Sequence, residues 1–288
     1  MINLKAEVVL QKPHTLLGEG PVWDYRNQEL WWVDITNGLL HCYRPQNNTN
    51  RSYSIGQMVG AVIPCEKSEL LLAMEHGFAF FDPQMEVLKP IFDPESHLPK
   101  NRFNDAKCDP AGRLWAGTMM INEPRDVEGS LYCLDSTLRV TKKLSGITVS
   151  NGLAWNKAAD KMYYIDTSTQ IVQAFSFDIN TGNIEKQANA LKFDKIFPDG
   201  MCIDENDHLW VAFYGASKVA CFDPESGEQL AEIKVPARNT TSCAFGGEDL
   251  KTLYITSAKA DANDKWGGNL FAVKPGVRGM KADFYQHT

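Results

Sequence analysis

VWDYRNQELWWVDITNGLLHCYRP, residues 22–45, consists of apolar, aromatic-rich runs separated by polar turns. The same unit recurs five more times, and the later copies begin at Val62, Ala106, Leu153, Met201 and Cys243. The third and sixth copies continue into GSLYCLD and GNLFAVKPG. Copies spaced by 40 to 48 residues match the length of a four-stranded propeller blade. The repeat therefore predicts an all-β fold, a six-bladed β-propeller with four antiparallel strands per blade, as one domain over residues 1–288.

Helical repeats of similar length are the alternative to a propeller. The repeats are rich in Val, Ile, Tyr, Phe and Trp, and turns such as Asp-Pro-Ala-Gly and Asn-Thr-Gly interrupt any long helix. This composition favours strands. Because the two ends of a propeller ring must be joined, we expect AEVVLQ near the N-terminus to supply the outer strand that the last blade lacks.

Composition and charge exclude several classes of protein. The chain has 288 residues, of which 43% are hydrophobic and 23% charged, as in an ordinary globular protein. The net charge of −7 is spread without basic blocks, which argues against nucleic acid as a partner. The sequence contains no apolar segment long enough to predict a membrane span or a signal peptide, so we expect a cytoplasmic protein. Seven cysteines without CxxC spacing are expected to be mostly reduced and buried.

Equivalent positions of the six repeats predict a ring of side chains around the central channel. The innermost strand of each blade lines the axis of a propeller, so one position per blade should face one depth of the channel. We align the repeats on one apolar residue of the second strand: Trp31, Leu71, Trp115, Tyr163, Trp210 and Tyr254. The residues eleven or twelve places before these are Glu19, Val59, Asn104, Asn151, Asp199 and Ser242.

Five of these six ring residues are polar, and two are acidic. An unpaired charge against apolar strands costs several kcal/mol, so something must compensate it. Carboxylate and amide oxygens suit Ca²⁺, Mg²⁺ or Mn²⁺, and Zn²⁺ at a lower ligand number. The alternative is a water-filled polar channel without a metal. The sequence thus predicts a polar site in the central channel that can hold a cation.

Other residues are placed near the mouth of the channel. Arg102 lies two residues before Asn104, where a long donor could reach a bound ligand or could equally lie on the surface. The loops between the second and third strands of each blade open on the same face as the start of the first strand. They are expected to bring four further segments to the mouth: Glu75 and His76, 119–123, 166–168, and Tyr214. Asp34 and Asp166 are expected to hold blade turns through hydrogen bonds.

Five motifs resemble one known family along nearly the whole chain. LGEGPVWD, NRFNDAKCDPAGRLWAGTM, SNGLAWN, FPDGMCID and SCAFGGEDLKTLYIT are similar, in this order, to the regucalcin, gluconolactonase and luciferin-regenerating-enzyme-like proteins. The resemblance implies a six-bladed propeller with one catalytic divalent metal. Its ligands would be Glu19 in GEGP, Asn151 in SNGL and Asp199 in PDGM.

The resemblance also implies the substrate contacts. The family's arginine and asparagine correspond to Arg102 and Asn104, and Asp105 follows in the same motif. Some members have an acid after the GTM motif that contacts sugar hydroxyls. GTMMINEP has Asn122 at that position and Glu123 beside it, so both are candidate substrate-binding residues.

The predicted function is divalent-metal-dependent hydrolysis of a small sugar lactone, from aldonolactone to aldonic acid. The metal would polarise the ester carbonyl, and Asp199 would act both as a ligand and as the base toward water, with a metal-activated water as the alternative base. Ca²⁺ is the expected ion, with Zn²⁺, Mn²⁺ and Mg²⁺ as alternatives. Other readings remain open: a hydrolase of another cyclic ester or organophosphate, or a non-catalytic calcium-binding or interaction propeller. GxSxG and HExxH motifs are absent from the sequence. The sequence does not indicate an oligomeric state.

Overall fold

The computed structural model describes residues 2–12, 14–123 and 125–287, and the regular secondary structure of these residues is almost entirely β-strand. They form six sheets, each of which is one blade. The helical content of the described residues is one 3-10 turn, Thr167–Thr169. None of the described helical structure is long and apolar enough to cross a membrane. The six-bladed propeller predicted from the repeats is therefore confirmed.

In the first four blades, strands follow chain order from the axis outward. Blade one contains β3 (Gly18–Asp24), β4 (Glu29–Asp34), β5 (Leu39–Arg44) and β6 (Thr49–Ser54), and blade two β7 (Val59–Pro64), β8 (Leu70–Met74), β9 (Gly77–Asp82) and β10 (Val87–Phe92). Blade three contains β11 (Asn101–Cys108), β12 (Leu114–Met120), β13 (Gly129–Leu134) and β14 (Val140–Ile147), and blade four β15 (Ser150–Trp155), β16 (Lys161–Asp166), β17 (Ile171–Asp178) and β18 (Asn183–Lys192).

The last two blades incorporate the N-terminal segment. Blade five contains β19 (Phe197–Ile203), β20 (Leu209–Tyr214), β21 (Lys218–Phe222) and β22 (Gln229–Lys234), and blade six β23 (Asn239–Gly246), β24 (Thr252–Ala258) and β25 (Leu270–Val273). Strand β2 (Glu7–Leu10) pairs antiparallel with β25 as the outer strand of blade six, which confirms the predicted ring closure. Strand β1 (Ile2–Lys5) was not predicted, and it pairs parallel with β22 as a fifth strand of blade five.

Aromatic side chains fill the spaces between blades. Trp115 of blade three packs edge-on against Trp155 and Phe177 of blade four, with ring centroids 5.9 and 6.2 Å away. Such contacts remove large apolar areas from water at each blade interface. All seven cysteines are free and buried, as expected. Asp34 holds its turn as predicted, because its carboxylate accepts hydrogen bonds from the backbone N–H groups of residues 16 and 17.

The C-terminal segment 279–286, here called the C-terminal strap, lies across the end of the channel remote from the β12–β13 loop. Its backbone accepts and donates strand-like hydrogen bonds on opposite sides of the ring. The Met280 N–H donates to Ile203 O of blade five, and the Tyr285 N–H donates to Pro64 O of blade two, at 3.1 and 3.0 Å. The strap and the innermost strands enclose a mainly apolar cavity of about 260 Å³. The channel is therefore covered at this end.

Candidate functional site

A β-bulge interrupts every innermost strand at the same depth of the channel. The pairing with the second strand shifts in each blade between two residues: Glu19/Val22, Val59/Ala61, Phe103/Ala106, Ser150/Leu153, Pro198/Met201 and Thr240/Cys243. Each of the six ring residues predicted from the repeat lies in or at the edge of one of these bulges. Bulges re-aim side chains out of the regular alternation. The repeat of the bulge therefore explains why the alignment of the sequence found the ring.

Glycine follows three of the polar ring residues, and two of these glycines are required by the local structure. Gly20, after Glu19, has φ +53°, a conformation that other residues rarely adopt. Gly200, after Asp199, lies so close to the next blade that a Cβ there would be 2.0 Å from the Ser242 hydroxyl oxygen. These glycines let the bulges form and let neighbouring innermost strands approach each other.

A chain of hydrogen bonds fixes the amide side chains of the ring. The Arg102 Nη1 donates to Asn104 Oδ1 at 2.7 Å, and Asn104 Nδ2 donates to Asn151 Oδ1 at 2.9 Å. Asn151 Nδ2 in turn donates to Thr167 Oγ1, and the Thr167 hydroxyl donates to Pro198 O, both at 2.7 Å. The chain crosses blades three, four and five. It sets the orientation of Asn151, whose NH₂ group is a donor to Thr167 and whose carbonyl oxygen, with one lone pair used by Asn104, keeps a second lone pair for a ligand.

Three buried carboxylates of the innermost strands lie within electrostatic range of one another. Glu19, Asp105 and Asp199 are each at most 7% exposed. Burial, followed by the nearby charge of Asp105, raises the pKa of Glu19 to about 8. Burial, followed by the charges of Glu19 and Asp105, raises the pKa of Asp199 well above its usual range. The three acids are therefore close enough to destabilise one another's charged forms.

The donor chemistry of this group fits a hard divalent cation. The Glu19 carboxylate accepts one hydrogen bond, from the Gly20 N–H at 3.0 Å. Within the described parts of the chain, no donor hydrogen-bonds the Asp199 carboxylate. Buried carboxylates without donors need a cation or protons for compensation. Two carboxylates and the oriented Asn151 oxygen form an oxygen-rich set of the kind that Ca²⁺ prefers.

Two buried or partly buried cations flank the acids. Arg102 is 7% exposed, and burial, followed by the charge of Arg125, lowers its pKa to about 10. The Lys107 Nζ donates to Met201 O at 2.7 Å, and its charge lowers the pKa of Asp105 against the larger effect of burial. Lys107 was not predicted as a site residue. Its position two residues after Asp105, on the same face of a strand, was the available signal.

The mouth candidates divide into two groups. Tyr214 accepts a hydrogen bond from Asn239 Nδ2 at 3.1 Å, and burial and the charge of Asp199 raise its pKa, so its hydroxyl lies near the ring. Asn122 and Glu123 are exposed on the β12–β13 loop, where Glu123 forms an ion pair with Arg125. The structure gives Asn122 and Glu123 no contact with the ring among the described residues. Arg125 was not predicted, because the blade repeat does not indicate which residues of the connecting loops lie near the site.

The remaining mouth candidates also differ in their relation to the ring. Glu75 is half-buried, and its charge raises the pKa of Arg102, whereas His76 is exposed. In the segment 166–168, Asp166 accepts hydrogen bonds from the backbone N–H groups of residues 148 and 149, as expected for a blade turn. Thr167 belongs to the hydrogen-bond chain of the ring. Of this segment, therefore, Thr167 is the residue that supports the site.

A second group of potential ligand atoms lies away from the ring. Atoms of Asp204, His208 and Cys221 are within 4.8 Å of one another. However, the Asp204 carboxylate already accepts hydrogen bonds from Trp210 Nε1 and from backbone N–H groups. Asp109 of blade three makes the same bond to the indole of Trp115, with an arginine in place of the histidine. The repetition of the arrangement indicates a structural blade turn.

Comparison with known proteins reveals similarity along the whole propeller. Residues 17–259 match the family model described as the SMP-30/Gluconolactonase/LRE-like region. A Bacillus subtilis (strain 168) protein named "Putative sugar lactone lactonase YvrE" is 42% identical over 252 residues, covering 87% of this chain and 86% of its own. Regucalcin of Danio rerio is 36% identical, over 90% of this chain and 88% of its own.

Two solved structures show the same architecture. A luciferin-regenerating enzyme superposes with a TM-score of 0.92 at 32% identity, covering 98% of this chain and 99% of its own. Regucalcin from Agrobacterium tumefaciens str. C58, described as a calcium-binding protein, superposes with a TM-score of 0.93 at 28% identity, covering 99% of this chain and 98% of its own.

Proposed function

The chain belongs to the SMP-30/gluconolactonase/LRE-like family, and from this premise we propose that it hydrolyses a small sugar lactone with one divalent metal ion in its channel. The observation that carries the proposal is the group of three buried, mutually repelling carboxylates beside the oriented amide of Asn151. A site of this kind is costly to the fold unless it binds a cation. One relative is named a lactonase, which agrees with the proposed hydrolysis, and another is described as a calcium-binding protein, which agrees with the proposed metal.

The proposed metal ligands are Glu19, Asn151 and Asp199. Ca²⁺ is our first expectation for this oxygen-rich set, with Zn²⁺, Mn²⁺ and Mg²⁺ as alternatives. When bound, the ion would polarise the lactone carbonyl and lower the pKa of a nearby water. The bound charge would also return the pKa values of both ligand acids toward or below their ordinary range.

Asp199 is the proposed general base. Its carboxylate accepts no hydrogen bond from a described donor, so an oxygen remains available to take the proton of the attacking water. The same oxygen can then give this proton to the ring oxygen as the ester bond breaks. The products balance as one hydroxy acid from one lactone and one water. Close packing around Asp199 keeps bulk water from competing for the proton.

Arg102 and Asn104 are proposed to bind the substrate. Arg102 donates through Nη1 to Asn104 and to the Phe103 carbonyl, which holds the guanidinium plane in one position. A positioned group of this kind orients sugar hydroxyls or a carboxylate at little entropic cost. Asn122 and Glu123 stay candidates for substrate contacts from the loop. Another cyclic ester or an organophosphate remains the alternative substrate.

The test is a metal add-back experiment. The purified protein is stripped with chelator, supplied separately with Ca²⁺, Mg²⁺, Mn²⁺ or Zn²⁺, and assayed for acid release from a panel of aldonolactones against spontaneous hydrolysis. We expect metal-dependent turnover that Glu19→Gln and Asp199→Asn abolish, while the exposed Asp194→Asn control keeps it. Calorimetric titration of each variant with the metal reports binding separately from activity.

Each outcome of this test has a distinct meaning. Metal binding without turnover of any lactone would contradict the enzymatic half of the proposal and favour a calcium-binding propeller. Full turnover by Asp199→Asn with its metal bound would contradict the assignment of the base. Hydrolysis that survives complete removal of metal would contradict the role of the ion.

A further inference from the structure

Arg102 has donors that the protein does not use. The side chain is 7% exposed, yet its hydrogen bonds to described groups all come from Nη1. Nε and Nη2 therefore have no protein partner among the described residues. A buried guanidinium with unused donors is destabilising unless a ligand or water completes it. These donors form the edge of the fork that binds a planar anion through two parallel hydrogen bonds.

A second guanidinium, that of Arg125, lies within electrostatic range of Arg102. In the pairing of β11 with β12, Arg102 is opposite Met119, and Asn101 is opposite Met120. The Arg125 Nε donates to the carbonyl oxygen of Met120 at 3.4 Å, which holds Arg125 over this end of the sheet. The charge of Arg125 lowers the pKa values of both Arg102 and Tyr214. Arg125 therefore lies within electrostatic range of the buried arginine and of the Tyr214 hydroxyl.

The protein neutralises Arg125 only weakly. Its partner is Glu123, two residues earlier on the same loop, whose side chain is 67% exposed. Solvent-exposed ion pairs contribute little free energy, so a substrate anion can replace this glutamate at small cost. Two acids, Glu19 of the ring and the half-buried Glu75 of the neighbouring blade, act on Arg102 through their charges. In the proposed metal-bound state Glu19 is a ligand of the ion, so Glu75 is the remaining acid near Arg102.

We propose that Arg102 and Arg125 select lactones that carry an anionic group at the end opposite the lactone carbonyl. The proposal rests on the lactonase function above and names its substrate class. The two arginines at the mouth would bind the anion, while the lactone carbonyl lies at the proposed metal ligands, and this gives the substrate one orientation. A carboxylate and a phosphate share this chemistry. The measurements below distinguish between them.

The test compares three lactones that differ in one group. Kinetics are measured on the metal-loaded protein with glucono-1,5-lactone, a glucarolactone and 6-phosphogluconolactone. We expect kcat/KM to be highest for one of the two anionic lactones. The anionic lactone with the higher kcat/KM shows whether the two arginines select a carboxylate or a phosphate. Arg125→Gln should lower kcat/KM for that lactone by roughly 10- to 100-fold, the value of a charge-assisted hydrogen bond, and change the neutral lactone by less than about twofold.

Two further variants keep the test informative. Arg125→Lys retains the charge and should keep most of the preference, which a merely structural role of the loop would not predict. Arg139→Gln removes an exposed arginine from the same blade and should leave all three rates unchanged. Equal kcat/KM values for neutral and anionic lactones, or a preference unaffected by Arg125→Gln, would overturn the proposal.

A binding measurement separates this proposal from the proposed function. Calorimetric titration with gluconate, glucarate and 6-phosphogluconate requires no turnover. We expect one of the dianionic or phosphorylated acids to bind more tightly than gluconate, and Arg125→Gln to remove the difference. If no lactone is hydrolysed but this difference is found, the lactonase function fails and the anion selectivity stands. If lactones are hydrolysed and no difference is found, the anion selectivity fails alone.

Discussion

Replacement of one ring carboxylate should stabilise the protein when its metal is removed. In the metal-free ring, burial and the charge of Asp105 raise the pKa of Glu19 from 4.5 to about 8. Between these values the folded protein holds a proton that the unfolded chain has released. The free energy of unfolding therefore falls as the pH rises, by about 1.4 kcal/mol per pH unit for this one group. Over the whole window the loss approaches about 5 kcal/mol as an upper limit.

Urea unfolding of the chelator-treated protein measures this effect. We expect wild type to lose several kcal/mol between about pH 5 and about pH 8, and Glu19→Gln to lose less, because glutamine carries no charge to desolvate while the buried Asp199 and Asp105 keep their share of the loss. The variant also removes a charge that raises the pKa of Asp199. The exposed Glu248→Gln serves as the control and should behave as wild type. Saturating Ca²⁺ should abolish the pH dependence in wild type, since the ion compensates the carboxylates.

A stability of the metal-free protein that does not change with pH would refute this reasoning. So would an equal loss in wild type and in Glu19→Gln, because the loss would then come from other groups. The first result would mean that the ring tolerates its charged carboxylates without a cation, and the second that Glu19 is not a source of the cost.

Two further predictions concern the groups that hold the ring in place. Thr167→Val removes the link between the Asn151 amide and the Pro198 carbonyl; calorimetric titration should show metal affinity reduced by about 10-fold or more, whereas unchanged affinity would exclude an orienting role. Gly200→Ala places a Cβ 2.0 Å from the Ser242 hydroxyl oxygen; chemical unfolding should show a loss of about 1 to 3 kcal/mol, and wild-type stability would show that the innermost strands can separate freely.

The sequence predicted those features that repeat with the blades. The apolar repeat predicted six blades because each blade buries the same face against its neighbour. The ring alignment worked for a more specific reason, which is that the bulge recurs at one depth in every innermost strand. The roles of Glu19, Asn151 and Asp199 as ligands, and of Asp199 as the base, stay predictions until the metal experiments are done. The same holds for Arg102 and Asn104.

Features outside the repeat were missed. Strand β1 was missed because its parallel pairing with β22 depends on where the chain enters the ring, and no local sequence pattern encodes this. Arg125 was missed because its position at the mouth depends on the conformation of its loop, and a loop conformation has no repeating sequence pattern from which to predict it. Asn122 and Glu123 were placed by family alignment, and both are exposed on the β12–β13 loop, where their role as substrate contacts stays a prediction.

The N-terminal strands have a consequence for the order of events during synthesis. Strands β1 and β2 leave the ribosome before the other described strands, but their partners β22 and β25 begin at Gln229 and Leu270. Blades one to four can pair their strands locally as they emerge, whereas closure must wait until nearly the whole chain is available. Until then β22 and β25 present open edges to other chains. The nascent chain is thus most exposed to aggregation in the interval just before β1 and β2 pair with β22 and β25.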